Sequence, residues 1–393
     1  MLLRTSSPVK SFCFIAMMLF PCFVFSQPKR NFYDKMVVFN YTAVDTSDSD
    51  IRSVADVWKK YLQNRLFGFA RKIDTAGYNY WNEEEKQLYN DPDLILGIDP
   101  YLNYSQTNIL SIKPIQQGFF KIMNVKGWVD DSSGKFITQA IFYVLAKKVK
   151  DNFKLFNYFY LDKENLIKTK IRNVCYYYPA DYKFDKRNAL SFVNFEDSLS
   201  TLFNSTVPKE LIYLVDKDKD TLLNHFGFIY YGGLGLGKHS GKFIYKENII
   251  ISSVKENHRH ELVHYFTKIM NPDVIGFFDE GLATYFGGNL GNPLQWHLNH
   301  ISRYIKDKPD LDLTDENKFG YIDAKTNPPY VLGAVIIKYT IDQYGFSKVL
   351  ALLKYSGKQN SYSDVIEKEL GIKKSGLDGF FRNYLKENDR TGK

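Results

Sequence analysis

Apolar and polar positions divide the chain into three textures. In "VADVWKKYLQNRLFGFA", within residues 46–70, apolar residues recur every three or four positions. That period predicts a helix with one buried face. "WNEEEKQLY" (81–89) predicts a second helix. The period then shortens to two. "GFFKIMNVKGWVDD" (118–131), "KFITQAIFYVLAKKV" (135–149) and "FKLFNYFYLD" (153–162) alternate, and turn-like "DDSSGK" and "KDN" separate them. Alternating runs joined by short polar turns predict an antiparallel meander.

From about residue 171 the elements mix. "IRNVCYYYP" (171–179) predicts a strand and "KRNALSFVNFEDSLSTLF" (186–203) an amphipathic helix. "KELIYLVD" (209–216) predicts a strand, "KDTLLNHFG" (219–227) a short helix, and "GKFIYKENIIISS" (241–253) one or two strands. Helical patterns fill the rest, with polar loops near 306–329 and 356–363. The expected class is α+β: an antiparallel meander with helices in 27–170, then a small mixed sheet and a mostly helical half in 171–393. A curved sheet wrapped on a helix, as in cystatin-like or nuclear-transport-factor-like folds, would suit the first part.

Residues 1–26 stand apart. Arg4 and Lys10 precede the apolar run "SFCFIAMMLFPCFVFS" (11–26), the pattern of a signal peptide cut after Ser26. The expectation is an exported protein, periplasmic or secreted. No later apolar run approaches spanning length, so no transmembrane span is expected after cleavage. Cleavage removes Arg4 and Lys10 and lowers the formal net charge from +8 to +6. The remaining basic residues are interleaved with acids, which argues against a nucleic-acid partner. Cleavage also removes Cys13 and Cys22 and leaves Cys175 alone, so neither an intrachain disulfide nor a cysteine metal site is expected.

"GGLGLGKHS" (232–240) nearly spells a phosphate-binding loop. His239 stands where a hydroxyl should bind magnesium, and the strand-like "GKFIYK" follows in place of a helix. The stretch is better explained as a glycine-rich loop beside a cleft.

"KENHRHELVHYF" (255–266) holds three of the seven histidines. Ser253 and Glu256 have capping-box spacing and Asn271-Pro272 supplies a stop, which predicts a helix of four to five turns. At about 100° per residue, His264 lies about 40° from His260, Glu261 about 100° away and His258 about 160° away. Leu262, Val263, Phe266, Ile269 and Met270 would form the core stripe. His260 and His264 can therefore share one metal ion, with Glu261 beside it as a proton acceptor. A chain with this many histidines and acids contains about 0.01 H-E-x-x-H matches by chance, so the motif is informative. A zinc ion that activates water needs a third protein ligand. "FFDEGLATYF" (277–286) predicts a second helix on which Glu280 shares a face with the small residues Ala283, Thr284 and Gly287. Asp279 is the rival ligand. His297 and His300 are expected on a helix surface or cleft rim.

At these residues the chain resembles the gluzincin metallopeptidases. "HELVH" followed by "FFDEGLATYF" looks like the signature of small peptidase-MA-like domains and of the aminopeptidase-N family, with Phe277 where Trp is usual. "PPYVLGAVIIKYTIDQYGFSKVLALLKY" (328–355) and "LGIKKSGLDGFFRNYL" (370–385) are similar to the family's later helices. The resemblance covers about 220 residues and implies a thermolysin-like fold for 171–393, one Zn2+ per chain and a peptide or protein substrate. It implies that Tyr330 steadies an oxyanion, with Tyr321 as the spare candidate. The strand before the zinc helix lacks the G-x-M-x-N motif that holds a free N-terminus in aminopeptidases. The expected function is an exported zinc metallopeptidase. The alternative is a zinc-containing binding or scaffold protein of the cell envelope.

Overall fold

The alternating runs within 118–156 fold as the antiparallel meander their period predicts, and a strand not read from the sequence, Gln106–Pro114, precedes them. In a computed structural model, residues 37–39, 43–68, 79–83, 106–232, 241–244, 248–320, 322, 323 and 325–389 are described. The leader and the glycine-rich residues 233–240 lie outside them, as do Tyr321 and residues 84–89 of the expected second helix. Strands β1 (Val37–Phe39), β2 (Gln106–Pro114), β3 (Phe119–Val129), β4 (Phe136–Val149) and β5 (Asn152–Phe156) lie in that order. All the pairs from β2 onward are antiparallel. Helix α1 (Ser49–Gly68) crosses one face and seats Val54, Ala55, Trp58 and Tyr61 there. The indole N–H of Trp58 donates to Asn124 Oδ1 at 2.8 Å, which satisfies both buried groups. The run 153–162 is not all strand: after β5 it turns into the one-turn helix α2 (Phe159–Asp162), because Asn157 Oδ1 accepts the N–H of Phe159.

The second sheet is mixed. Its order is β10 (Gly241–Ile244), β11 (Ile249–Ser252), β8 (Leu211–Val215), β7 (Val174–Tyr178), β6 (Ile167–Ile171). Its two outer pairs are antiparallel and its inner pairs parallel. Helices α3 (Lys186–Phe203) and α4 (Lys219–Asn224) follow β7 and β8, and strand β9 (Phe228–Tyr231) follows α4. The helical half then comprises α5 (Arg259–Met270), α6 (Gly276–Gly287), α7 (Leu294–Ile305), α8 (Glu316–Phe319), α9 (Pro328–Tyr344), α10 (Phe346–Leu353), α11 (Tyr362–Leu370) and α12 (Leu377–Glu387). The α+β class is thus as expected. Among the described residues no helix is long and apolar enough to cross a membrane.

The expected boundary at 170/171 does not separate the sheets. β6 begins at Ile167 and belongs to the second sheet, while β9 pairs with β4 of the first. β4 is long enough to take β5 along one stretch and β9 along another. Alternation inside the second sheet ties the halves further. Tyr213, Val215 and Ile250 face the helical core, whereas Leu214, Ile249 and Ile251 join the core under the first sheet. A sheet buried on both faces reads as continuous apolar runs, "LIYLV" and "III".

One polar clasp bridges the halves. His225, just after α4, places Nδ1 2.6 Å from Asp162 of α2 and Nε2 3.0 Å from Asp216 beyond β8. Burial opposes a charge on this ring, but the two carboxylates outweigh it and raise the pKa of His225 to about 9.

Candidate metal centre

Helix α5 begins later than its sequence suggests. Its first residue is Arg259, with His258 at the N-cap, so it has about three turns rather than four to five. Ser253 and Glu256 both precede the helix. The Glu256 carboxylate accepts the N–H of Asp185 at 2.7 Å and the amide of Asn188 at 3.3 Å, at the start of α3. Tyr213 holds the N-cap instead, its hydroxyl accepting the N–H of His258 at 2.9 Å. The core stripe holds for Leu262, Val263 and Phe266, but Ile269 is exposed.

Because His258 lies outside the helix, its wheel angle does not apply. The ring turns toward the site, its Nε2 3.9 Å from Glu261 Oε1 and its Nδ1 3.1 Å from Ser252 Oγ. Burial, and then the charges of His260 and His264, lower its pKa to about 3. The converging group is formed without it.

That group is His260, His264 and Glu280, whose ligand atoms lie within 4.8 Å of one another. Glu280 Oε2 is 3.1 Å from His260 Nε2 and 3.6 Å from His264 Nε2. Ligands about 2.05 Å from a tetrahedral zinc stand about 3.4 Å apart, so the spacing fits one ion. The outer ring atoms agree. His260 Nδ1 donates to Gly288 O at 2.8 Å, and His264 Nδ1 meets Asp279 Oδ1 at 2.8 Å. With Nδ1 carrying the proton, each Nε2 presents a lone pair toward a carboxylate. A cation at that point removes the repulsion. Without one, protons must do so: burial opposes charge on His264, but Asp279 and Glu280 raise its pKa to about 10. Glu280 is held below its ordinary range, the two histidines overcoming its burial. Its side chain keeps 26% exposure, which leaves one side of the group open.

Asp279 lies outside that group and pairs with the outer nitrogen of His264. Besides His264 it accepts from Thr267 Oγ1 at 2.6 Å and pairs with Lys268 at 2.7 Å. Burial opposes its charge, yet His264 and Lys268 hold it far below the usual carboxylate range.

Close backbone approaches set these positions. A Cβ on Gly287 would lie 2.2 Å from His260 N, so α6 meets the start of α5 only through glycine. Gly281 meets Gly333 of α9 in the same way, at 2.4 Å. That crossing brings Tyr330, one turn earlier on α9, over the site. Its half-buried ring lies nearly parallel to that of His260, with centroids 6.2 Å apart. Phe277 stacks on Tyr362 at 4.1 Å.

Two features of β10 had no signal in the sequence. A Cβ on Gly241 would lie 2.2 Å from the His258 ring and 3.0 Å from Glu261 Oε1, so the strand backbone rests against the buried Glu261. Lys242 is half-buried beside it; burial lowers its pKa to about 8, with Glu261 and Glu280 pulling the other way. Burial raises the pKa of Glu261 itself. His297 is not on a rim: it is fully buried, with Nδ1 3.1 Å from Thr326 Oγ1 and Nε2 2.9 Å from Asn289 O. It thereby steadies the strap whose Gly288 carbonyl takes His260. His300 stays partly exposed on Asp323 at 2.8 Å.

No family model matches the chain, and no curated protein matches it.

Proposed function

We propose that the chain is an exported zinc-dependent metallopeptidase. The observation that carries this reading is the convergence of His260 Nε2, His264 Nε2 and Glu280 Oε2 at tetrahedral spacing on two helices, with one side open. Bound there, zinc would polarise a scissile carbonyl and make water a better nucleophile. The chain's own residues supply the rest. Glu261, next to His260 and buried, takes a proton from the attacking water and returns it to the leaving amine. Its enclosure against Gly241 favours the protonated form, which suits the return step. Tyr330 is a neutral donor that steadies the negative charge developing on the carbonyl oxygen. Asp279 and the Gly288 carbonyl orient the two imidazoles. β10 ends its sheet among the described residues. A peptide that pairs with its outer edge would pass over Glu261, which is how extended substrates are aligned by backbone alone.

Metal analysis of the protein purified without added metal tests the ligands. One zinc per chain is expected, falling at least tenfold in His260→Ala. Glu261→Gln should keep the zinc and lose hydrolysis of a mixed peptide library by about 10²–10⁴-fold. No metal, or unchanged metal in His260→Ala, sinks the site. Retained metal with no cleavage of any peptide leaves the scaffold alternative.

A further inference from the structure

The two histidines of α7 have no place in the proposed reaction, yet both are tied down. They stand three residues apart, so their rings leave the helix on one side. Both reach the chain just ahead of α9, at Asp323 and Thr326, which bridge each other through their backbones. His297 and Thr326 are fully buried. The Asn289 carbonyl can only accept, so His297 Nε2 donates to it at 2.9 Å. Nδ1 is left to accept from the Thr326 hydroxyl at 3.1 Å. Burial lowers the pKa of this ring, which keeps it in that neutral form. His300 Nε2 donates to Asp323 Oδ2 at 2.8 Å, and its ring stacks on Trp296 with centroids 4.8 Å apart. The other oxygen of Asp323 accepts the N–H groups of Lys325 and Thr326 at 2.7 and 3.0 Å.

The start of α9 needs such a grip. The helix opens on Pro328 and Pro329, and Asn327 at its N-cap makes no side-chain cap bond. Its first turn is not held by a cap of its own, so the chain ahead of it must hold it. Tyr330 lies in that first turn. His297 also reaches, through Asn289 O, the strap whose Gly288 carbonyl takes His260. One buried ring thus touches the segment behind a ligand histidine and the segment ahead of Tyr330. Resting on the peptidase reading, we propose that His297 and His300 are positioning residues. They clamp the chain at Asp323 and Thr326 to α7 and so set the reach of the Tyr330 hydroxyl toward the oxyanion.

A double-mutant cycle tests this. Thr326→Val removes the hydroxyl, keeps the shape of the side chain and leaves the His297–Asn289 bond in place. His300→Phe removes the donor and keeps a ring on Trp296. Thr326→Val should lower kcat about 10–100-fold with KM little changed, the scale of a catalytic group displaced by about 1 Å. His300→Phe, at a partly exposed pair, should lower it about threefold. Thr326→Ser keeps the hydroxyl and should recover most of the rate. In a Tyr330→Phe background neither Thr326→Val nor His300→Phe should lower kcat further, because the group they position is gone. Losses that multiply equally in both backgrounds mark a general structural role and overturn the proposal. Hydrogen exchange reads the clamp without turnover. Both substitutions should speed exchange of the amides of residues 331–334 about tenfold and leave those of α6 unchanged. Hydrolysis by the wild-type chain with unchanged exchange in the variants defeats the clamp, whereas the expected exchange in a chain that cleaves no peptide defeats the peptidase reading.

Discussion

Two buried clusters in this chain join histidine to carboxylate, and they are built in opposite ways. At His225 the ring lies between its partners, with Asp162 on one nitrogen and Asp216 on the other. At His260 and His264 the outer nitrogens are taken by Gly288 O and Asp279, and both inner nitrogens face one oxygen of Glu280. The first arrangement keeps its carboxylates a ring's width apart and closes on a proton. The second concentrates lone pairs at one point, where a metal ion could be held. Residue type does not distinguish them. The direction in which the donor atoms converge does: one cluster could hold a metal ion, and the other is a clasp.

The comparison breaks most sharply on metal content. Glu280→Ala should reduce bound zinc by at least tenfold, whereas Asp216→Ala should leave it at one per chain. Zinc lost equally in both would erase the distinction. Turnover sharpens it next. Tyr330→Phe should lower kcat by about 10²–10³-fold with KM little changed, while His225→Gln should leave kcat within about twofold.

Stability should show the reverse. The His225 pKa is raised on folding, so its contribution is full below its ordinary value of about 6.5 and fades as pH rises through about 9. His225→Gln should therefore cost about 3 kcal/mol in urea unfolding at pH 6 and much less at pH 10. A cost that does not change with pH would show that the ring is not a charged clasp. The smallest effect concerns support. Asp279→Asn should weaken zinc affinity about 10–100-fold and leave its stoichiometry at saturation unchanged, read by competition with a chelator.

Much of this was legible in the chain. Residues 186–203 form α3 at the bounds their period suggests, because the helix has one buried face and Asp185 caps it. The i, i+4 pair His260 and His264 and the small face beside Glu280 also read directly, since helix geometry alone places them. The start of α5 did not. Ser253 and Glu256 have the right spacing for a box, but the helix starts only at Arg259, where Glu256 reaches Asp185 and Asn188 and Tyr213 accepts the N–H of His258. Local preference yields where a distant partner offers a better hydrogen bond.

The same physics separates what the chain alone determined from what needed the fold. Short-range periodicity decided the class, the meander, the helices and the pair of histidines on one face, because those depend on residues within a few positions. Tertiary structure decided that β9 completes the first sheet, that Asp279 pairs with the outer nitrogen of His264, and that His258 turns toward Glu261. It also placed Gly241 and Lys242, outside the motif in sequence, beside the motif's Glu261. Those contacts join residues whose spacing along the chain carries no period, so only packing could bring them together.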